Sequence, residues 1–212
     1  MPERFSEVLR AAIRQVHEQA NGAAYIGKLL SGELALADFA ELATQHYFLY
    51  TALEEVADSM RHDPVVGPFV IDGLRRVPAL AEDLDFLLGP HWATTIEPNA
   101  ATKNYCQRLR TVARRWPGGF VAHHYTRYLG DIAGGQVIRA KLRTQHGITG
   151  AGAKFYAFDT IGNTVLFRRH YRTLLDSTGW DELERAQVIA ETKYAFALNE
   201  AVFAELDRDL AG

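Results

Sequence analysis

Residues 125–136, Tyr-Thr-Arg-Tyr-Leu-Gly-Asp-Ile-Ala-Gly-Gly-Gln, place three glycines and one acid inside a run that otherwise reads as helix. Each glycine in a helix interior costs roughly 1 kcal/mol relative to alanine, and Gly130, Gly134 and Gly135 concentrate that cost in one short stretch. Positions 130 and 134 are one turn apart and share a face. That face carries no side chain, so a broad, flat molecule can lie directly on backbone, with Asp131 beside it as the titratable group. The pattern points to a bent helix, a large planar ligand and polar chemistry above the plane of that ligand.

The rest of the chain reads as helix as well. Phe5, Val8, Leu9, Ala12, Ile13 and Val16 recur at a spacing of three to four, which predicts an amphipathic helix over 3–20. Asn21-Gly22 interrupts it. Further helices are expected over 35–61, ending at His62-Asp-Pro64, over 78–88, stopped by Gly89-Pro90, and over 99–115, closed by Pro117-Gly-Gly119. The glycine-bearing helix is expected over about 119–146, followed by a small-residue loop from Gly147 to Ala153. Helices over 160–177 and 181–209 complete the chain. No hairpin signal, repeat period or low-complexity linker is present. The expectation is an all-α fold, one compact multi-helix domain over 1–212.

Composition narrows the function classes. The 212 residues are 48% apolar and 23% charged, ordinary for a globular chain. A net charge of −3 gives no footprint for nucleic acid. The single Cys106 allows no internal disulfide and fits a reducing, cytoplasmic setting. No apolar run approaches the roughly 20 residues of a membrane span, and no signal peptide or membrane tail is evident.

His17 follows Ile13 by one turn and lies on or beside the apolar stripe of the first helix. Arg10 is two turns earlier on the same face, an offset of about 10 Å. A ring nitrogen and a cation so spaced could hold the iron and one propionate of heme; a surface arginine beside a buried histidine fits the same spacing. Arg168 and Arg172, four residues apart, could grip carboxylates through the planar guanidinium fork, or form a solvated helix face. Adjacent His123 and His124 point about 100° apart, which disfavours a shared metal and leaves exposure or a local hydrogen bond. Trp92, Trp116 and Trp180 lie near predicted turns as packing anchors, and Cys106 is a small core or surface residue.

Taken together, these segments resemble the heme oxygenase family over nearly the whole chain. The resemblance is carried by residues 125–137, by Val16-His17-Glu-Gln-Ala20, by residues 47–55 (Tyr-Phe-Leu-Tyr-Thr-Ala-Leu-Glu-Glu), by Asp83-Leu-Asp-Phe86, by Phe155-Tyr-Ala-Phe158 and by Phe167-Arg-Arg-His-Tyr-Arg172, in the expected order. It implies a soluble, bacterial-type enzyme that holds heme between a proximal helix and a kinked, glycine-rich distal helix. His17 would be the axial iron ligand. Gly130 and Gly134 would form the distal platform, with Asp131 as the distal carboxylate. Arg10, Tyr125, Arg168 and Arg172 would bind the propionates. Tyr50, Arg127 and Asn199 would stand near a distal water network.

The implied reaction is cleavage of heme, at once substrate and oxygen-activating cofactor, to biliverdin, carbon monoxide and ferrous iron, with water organised by Asp131 protonating the iron-bound peroxide. With no Gly-x-Gly-x-x-Gly fingerprint for flavin or nicotinamide, electrons would come from a separate ferredoxin or flavoprotein reductase. A monomer is expected. Two positions depart from the family pattern: Asn21 stands where a carboxylate four residues after the proximal histidine is usual, and Ala133 where serine is often found. A heme carrier without turnover would need His17 and the arginines but not Asp131. A di-iron oxidase would need Glu-x-x-His pairs, which are absent, and a His-Glu-x-x-His peptidase fails at Asn21.

Overall fold

The computed structural model describes residues 3–210, with the side chains of Asn21 and Ala113 outside the described set. Ten α-helices run in chain order: α1 (Phe5–Ala12), α2 (Arg14–Asn21), α3 (Ala24–Ser31), α4 (Leu36–Ser59), α5 (Val77–Leu88), α6 (Ala100–Arg108), α7 (Pro117–His124), α8 (Gly130–His146), α9 (Thr164–Asp176) and α10 (Glu182–Asp209). Short 3₁₀ turns link several of them, and no strand occurs among the described residues.

The ends of these helices follow local chemistry. Asn99, Asn163 and Asp181 each accept backbone N–H bonds from the first turns of α6, α9 and α10. Asp38 reaches back to the Ala35 N–H at 2.8 Å at the start of α4. Gly147 closes α8 at φ +70°, where Ile148 N–H returns to the Leu142 carbonyl at 3.3 Å.

Three expectations are corrected. The helix expected over 3–20 is two, α1 and α2, meeting at Ile13, whose ψ of 0° ends the first. Arg10 and His17 therefore do not share one continuous helix. Helix α3 was not expected; its Tyr25 and Leu29 bury against the core. The glycine-bearing helix starts at Pro117 and is interrupted by a π-helical turn at Tyr125–Leu129, directly before Gly130. A wide turn of this kind is a recognised cause of helix bending. A second π turn, Leu109–Ala113, ends α6.

The core forms around α4. Residues 42–46 are buried without a break, which requires neighbours on every side of the helix. Helix α5 packs along it, and α10 lies against α2, α3, α6 and α7. Gly118 and Gly119 bring α7 close to its neighbours, for a Cβ there would come within 2.8 Å of Val188 and 2.5 Å of the Trp116 ring respectively. Trp92, Trp116 and Trp180 do act as anchors: Trp92 meets Tyr47 edge-on, Trp180 meets Phe5, and Trp116 Nε1 donates to Glu184 at 2.6 Å. Cys106 is buried.

His123 and His124 are buried rather than exposed. His124 Nδ1 lies 2.8 Å from the Tyr171 hydroxyl. His123 Nε2 donates to Glu191 Oε1 at 2.9 Å, and Arg108 grips the same carboxylate with two bonds of 2.9 and 2.6 Å. Burial alone would raise the Glu191 pKa, but the His123 and Arg108 hydrogen bonds outweigh it and hold the group at about 2. The carboxylate therefore contributes stability that is complete above its unfolded value near 4.5 and is lost as pH falls towards about 2. Glu191→Ala should cost roughly 3 kcal/mol at neutral pH by leaving Arg108 and His123 unpaired. The mutant should also show a flatter pH dependence of stability in that acid window, read by urea denaturation.

Candidate heme site

Helix α8 presents two different faces. An added Cβ at Gly130 or Gly134 would meet nothing within 4 Å, whereas one at Gly135 would lie 2.5 Å from Cδ1 of Tyr156. The glycines thus divide the work: Gly135 lets the back of the helix seat on an aromatic ring, while Gly130 and Gly134 leave the front bare. Tyr156 is held by a buried strap. Asp83 on α5 accepts backbone N–H bonds from Gly152, Lys154 and Phe155 at 2.7, 2.9 and 2.7 Å. Arg76 donates to the Phe155 and Ala157 carbonyls at 3.1 Å each. Glu54 in turn caps the start of α5 through the Arg76 and Val77 N–H groups. Glu54, Asp83 and Phe155–Phe158 all lie in segments singled out in the sequence, and here they hold the wall of the site in place.

In front of the bare face is a cavity of about 340 Å³. His17 from α2 lines it on one side, and Gly130, Asp131, Ala133 and Gly134 on another. Its apolar lining includes Leu42 from α4 and Phe196 and Phe203 from α10. The His17 ring meets Phe196 edge-on at 5.9 Å.

Asp131 is the hub of a polar cluster. The Tyr50 hydroxyl donates to its Oδ2, and Arg127 Nη2 lies 3.2 Å from the same oxygen. Arg127 Nη1 also donates to Asn199 Oδ1, and its guanidinium lies 5.3 Å from the Tyr50 ring centre. Tyr50, Arg127, Asp131 and Asn199, which come from three segments of the chain, are therefore brought together. Burial pushes the Asp131 carboxyl above the usual range, against the opposing pull of Arg127 and of the Tyr50 hydrogen bond.

The basic residues are arranged less uniformly. Arg10 and Arg172 line a separate cavity of about 520 Å³ where α1 meets α9, together with Arg169. Their charges both act on the Tyr125 phenol, whose pKa is raised by burial and lowered in part by Arg172 and Arg10. Arg168 is not among the residues lining that cavity; its Nε turns back to the Thr164 carbonyl at 3.3 Å. Ala133 lines the main cavity, and the side chain of Asn21 lies outside the described residues.

Among the other residues lining the cavity, Tyr156 stands in a segment quoted from the sequence without a role of its own, and His46 is one that sequence reasoning did not single out. Tyr156 is the ring beneath Gly135, and His46 sits one turn before Tyr50 on α4. The only signal for His46 was that i, i+4 spacing, which puts it on the Tyr50 face.

The two kinds of cavity glycine should separate in stability measurements. Gly134→Ala should stabilise the heme-free protein by up to about 1 kcal/mol through helix propensity, while its methyl intrudes on the cavity and weakens heme binding. Gly135→Ala must displace Tyr156 and should instead destabilise by roughly 1–3 kcal/mol. Urea denaturation of the heme-free variants, with heme titrations beside it, checks both signs.

Comparison with known proteins agrees with this geometry. The heme oxygenase family model matches residues 3–205. Heme oxygenase 1 of Gallus gallus is 36% identical over 211 residues, covering 98% of this chain and 71% of its own. The crystal structure of Synechocystis heme oxygenase-1 in complex with heme superposes with a TM-score of 0.94 at 29% identity, covering 99% of this chain and 95% of that one. Synechocystis heme oxygenase-2 in complex with heme and NO gives 0.93 at 33% identity, covering 97% and 86%. Among the described residues no helix is long and apolar enough to cross a membrane. With a bare helix face and a histidine lining one cavity and a buried acid between tyrosine and arginine, the chain belongs to the heme oxygenase family of enzymes.

Proposed function

We propose that this protein binds heme between α2 and α8 and, with dioxygen and external electrons, opens it to biliverdin, carbon monoxide and ferrous iron. One observation carries the reading: a cavity with an imidazole on one wall, bare backbone on another and a buried carboxyl at its edge. The residues present fit the group. The open space over Gly130 and Gly134 admits a flat ring, the apolar lining suits a macrocycle, and His17 offers a neutral nitrogen to iron. Bound heme supplies the iron that activates dioxygen and the ring carbon that is attacked.

The chain supplies the rest. His17 would hold the heme iron, and an imidazole would donate to it less strongly than a thiolate. The bare backbone at Gly130 and Gly134 would let the ring lie close to the helix without a side chain between them. Asp131 takes its protein hydrogen bonds on Oδ2, leaving Oδ1 to hold water in the cavity. Burial raises the proton affinity of this carboxyl, and water held by it would relay a proton into the pocket. Arg127, Tyr50 and Asn199 hold the carboxyl in one orientation. Arg10, Arg172 and Tyr125 take the propionates, with Arg168 joining by turning away from Thr164. Electrons come from a separate ferredoxin or flavoprotein reductase. The chain acts as a monomeric single domain in the cytoplasm, where its lone buried cysteine stays reduced.

The direct test is to add heme to the purified protein, record the spectrum, then supply ascorbate or a reductase under air and identify the product by chromatography. His17→Ala should change the spin state of bound heme and abolish most turnover, with partial recovery on adding imidazole; an unchanged spectrum and rate would remove the assignment. Asp131→Ala and Asp131→Asn should keep heme affinity within a few-fold yet form biliverdin at least roughly a hundredfold more slowly. Normal product formation in both would place the proton source elsewhere. Arg10→Glu with Arg172→Glu should weaken heme binding at least about tenfold, since each lost charge-assisted bond is worth roughly 1.5–3 kcal/mol. That variant should also yield mixed biliverdin isomers as the ring loses its orientation.

A further inference from the structure

His46 is 4% exposed, lines the main cavity, and has an Nε2 with no hydrogen-bond partner among the described residues. Its ring packs on Phe155, 5.0 Å between centres. A buried ring nitrogen left bare is uncommon, because its desolvation is then uncompensated. A second such atom belongs to Arg127, which lines the same cavity and whose charge is felt at His46. Arg127 bonds Asn199 and Asp131 through its two terminal nitrogens, yet its Nε is buried and unpartnered. The two atoms are chemically complementary. Arg127 Nε–H can only donate, and a neutral imidazole nitrogen can accept. Burial, reinforced by the nearby Arg127 charge, holds His46 well below the usual imidazole range, so its neutral form prevails.

We propose that His46 is a positioning residue of the heme pocket: its Nε2 and the Nε of Arg127 jointly hold one ordered water. That water accepts from Arg127, donates to His46, and has its remaining proton and lone pair for the cavity, which satisfies the two to four bonds a buried water needs. It completes the hydrogen bonding of the Arg127 guanidinium and fixes its plane, and through Nη2 the orientation of the Asp131 carboxyl. The functional part rests on the Asp131 reading above; the water itself does not.

A crystal structure of the heme-free protein should show a water within about 3.2 Å of both nitrogens. His46→Leu, apolar and of similar volume against Leu42 and Phe155, should lose this water and keep heme affinity within about twofold. It should also slow biliverdin formation about tenfold, as outer-shell partners do, with an altered solvent deuterium isotope effect. His46→Gln places an amide where Nε2 was and should restore the water and most of the rate. Absence of the water from the wild-type crystal, or its retention with an unchanged isotope effect in His46→Leu, would overturn the proposal. If His46→Leu fails to fold, His46→Gln and the wild-type crystal still decide it. A water present in the wild type together with normal turnover of Asp131→Ala would sink the Asp131 reading and leave the water site standing.

Discussion

The contact between Gly135 and the Tyr156 ring is the one on which the site depends. A methyl group at 135 would sit 2.5 Å from that ring, so backbone and aromatic meet at a distance only glycine allows. The seat beneath is rigid because Asp83 gathers three backbone N–H groups of the strap and Arg76 two of its carbonyls. With its back held this way, α8 can carry Gly130 and Gly134 over open space, although each weakens the helix locally. The π turn at Tyr125–Leu129 adds to the bend immediately upstream. The bare face thus persists because tertiary packing offsets a poor intrinsic helix.

The polar cluster follows the same logic. An acid buried beside an apolar cavity would ordinarily be neutral and mobile. Here a tyrosine from α4, an arginine one turn earlier on the distal segment and an asparagine from α10 converge on or beside it. Arg127 alone links α10 to Asp131, so small changes in its guanidinium plane pass directly to the carboxyl. The site therefore combines a charged anchor for orientation with burial that keeps the proton affinity of Asp131 high. Both effects come from exclusion of bulk water by the surrounding helices.

A second buried network, Arg108–Glu191–His123, ties α6 and α7 to α10 and does not line that cavity. Its carboxylate is held at about 2 by the His123 and Arg108 hydrogen bonds. The two networks differ in what they are built to do. Glu191 is locked ionised by three hydrogen bonds and stabilises the frame, whereas burial raises the pKa of Asp131.

Much of this protein was legible in one dimension. Apolar spacing together with Pro64, Gly89, Pro117 and Gly147 marks most helices, because these are local backbone effects. The glycine-rich run and the order of several motifs identified the family; Tyr50, Arg127 and Asp131 stood in those motifs, and Asn199 came only with the resemblance. What periodicity could not express was decided by packing. The break at Ile13, the extra helix at 24–31, the π turns and the burial of His123 and His124 all depend on partners distant in the chain. So does the division of labour among the three glycines, since Gly134 and Gly135 are neighbours in sequence and only the ring of Tyr156 distinguishes them. His46 shows the limit most plainly: as a residue four before a tyrosine it is unremarked, and it becomes a feature of the site only when folding buries its nitrogen beside a cavity that Arg127 also lines.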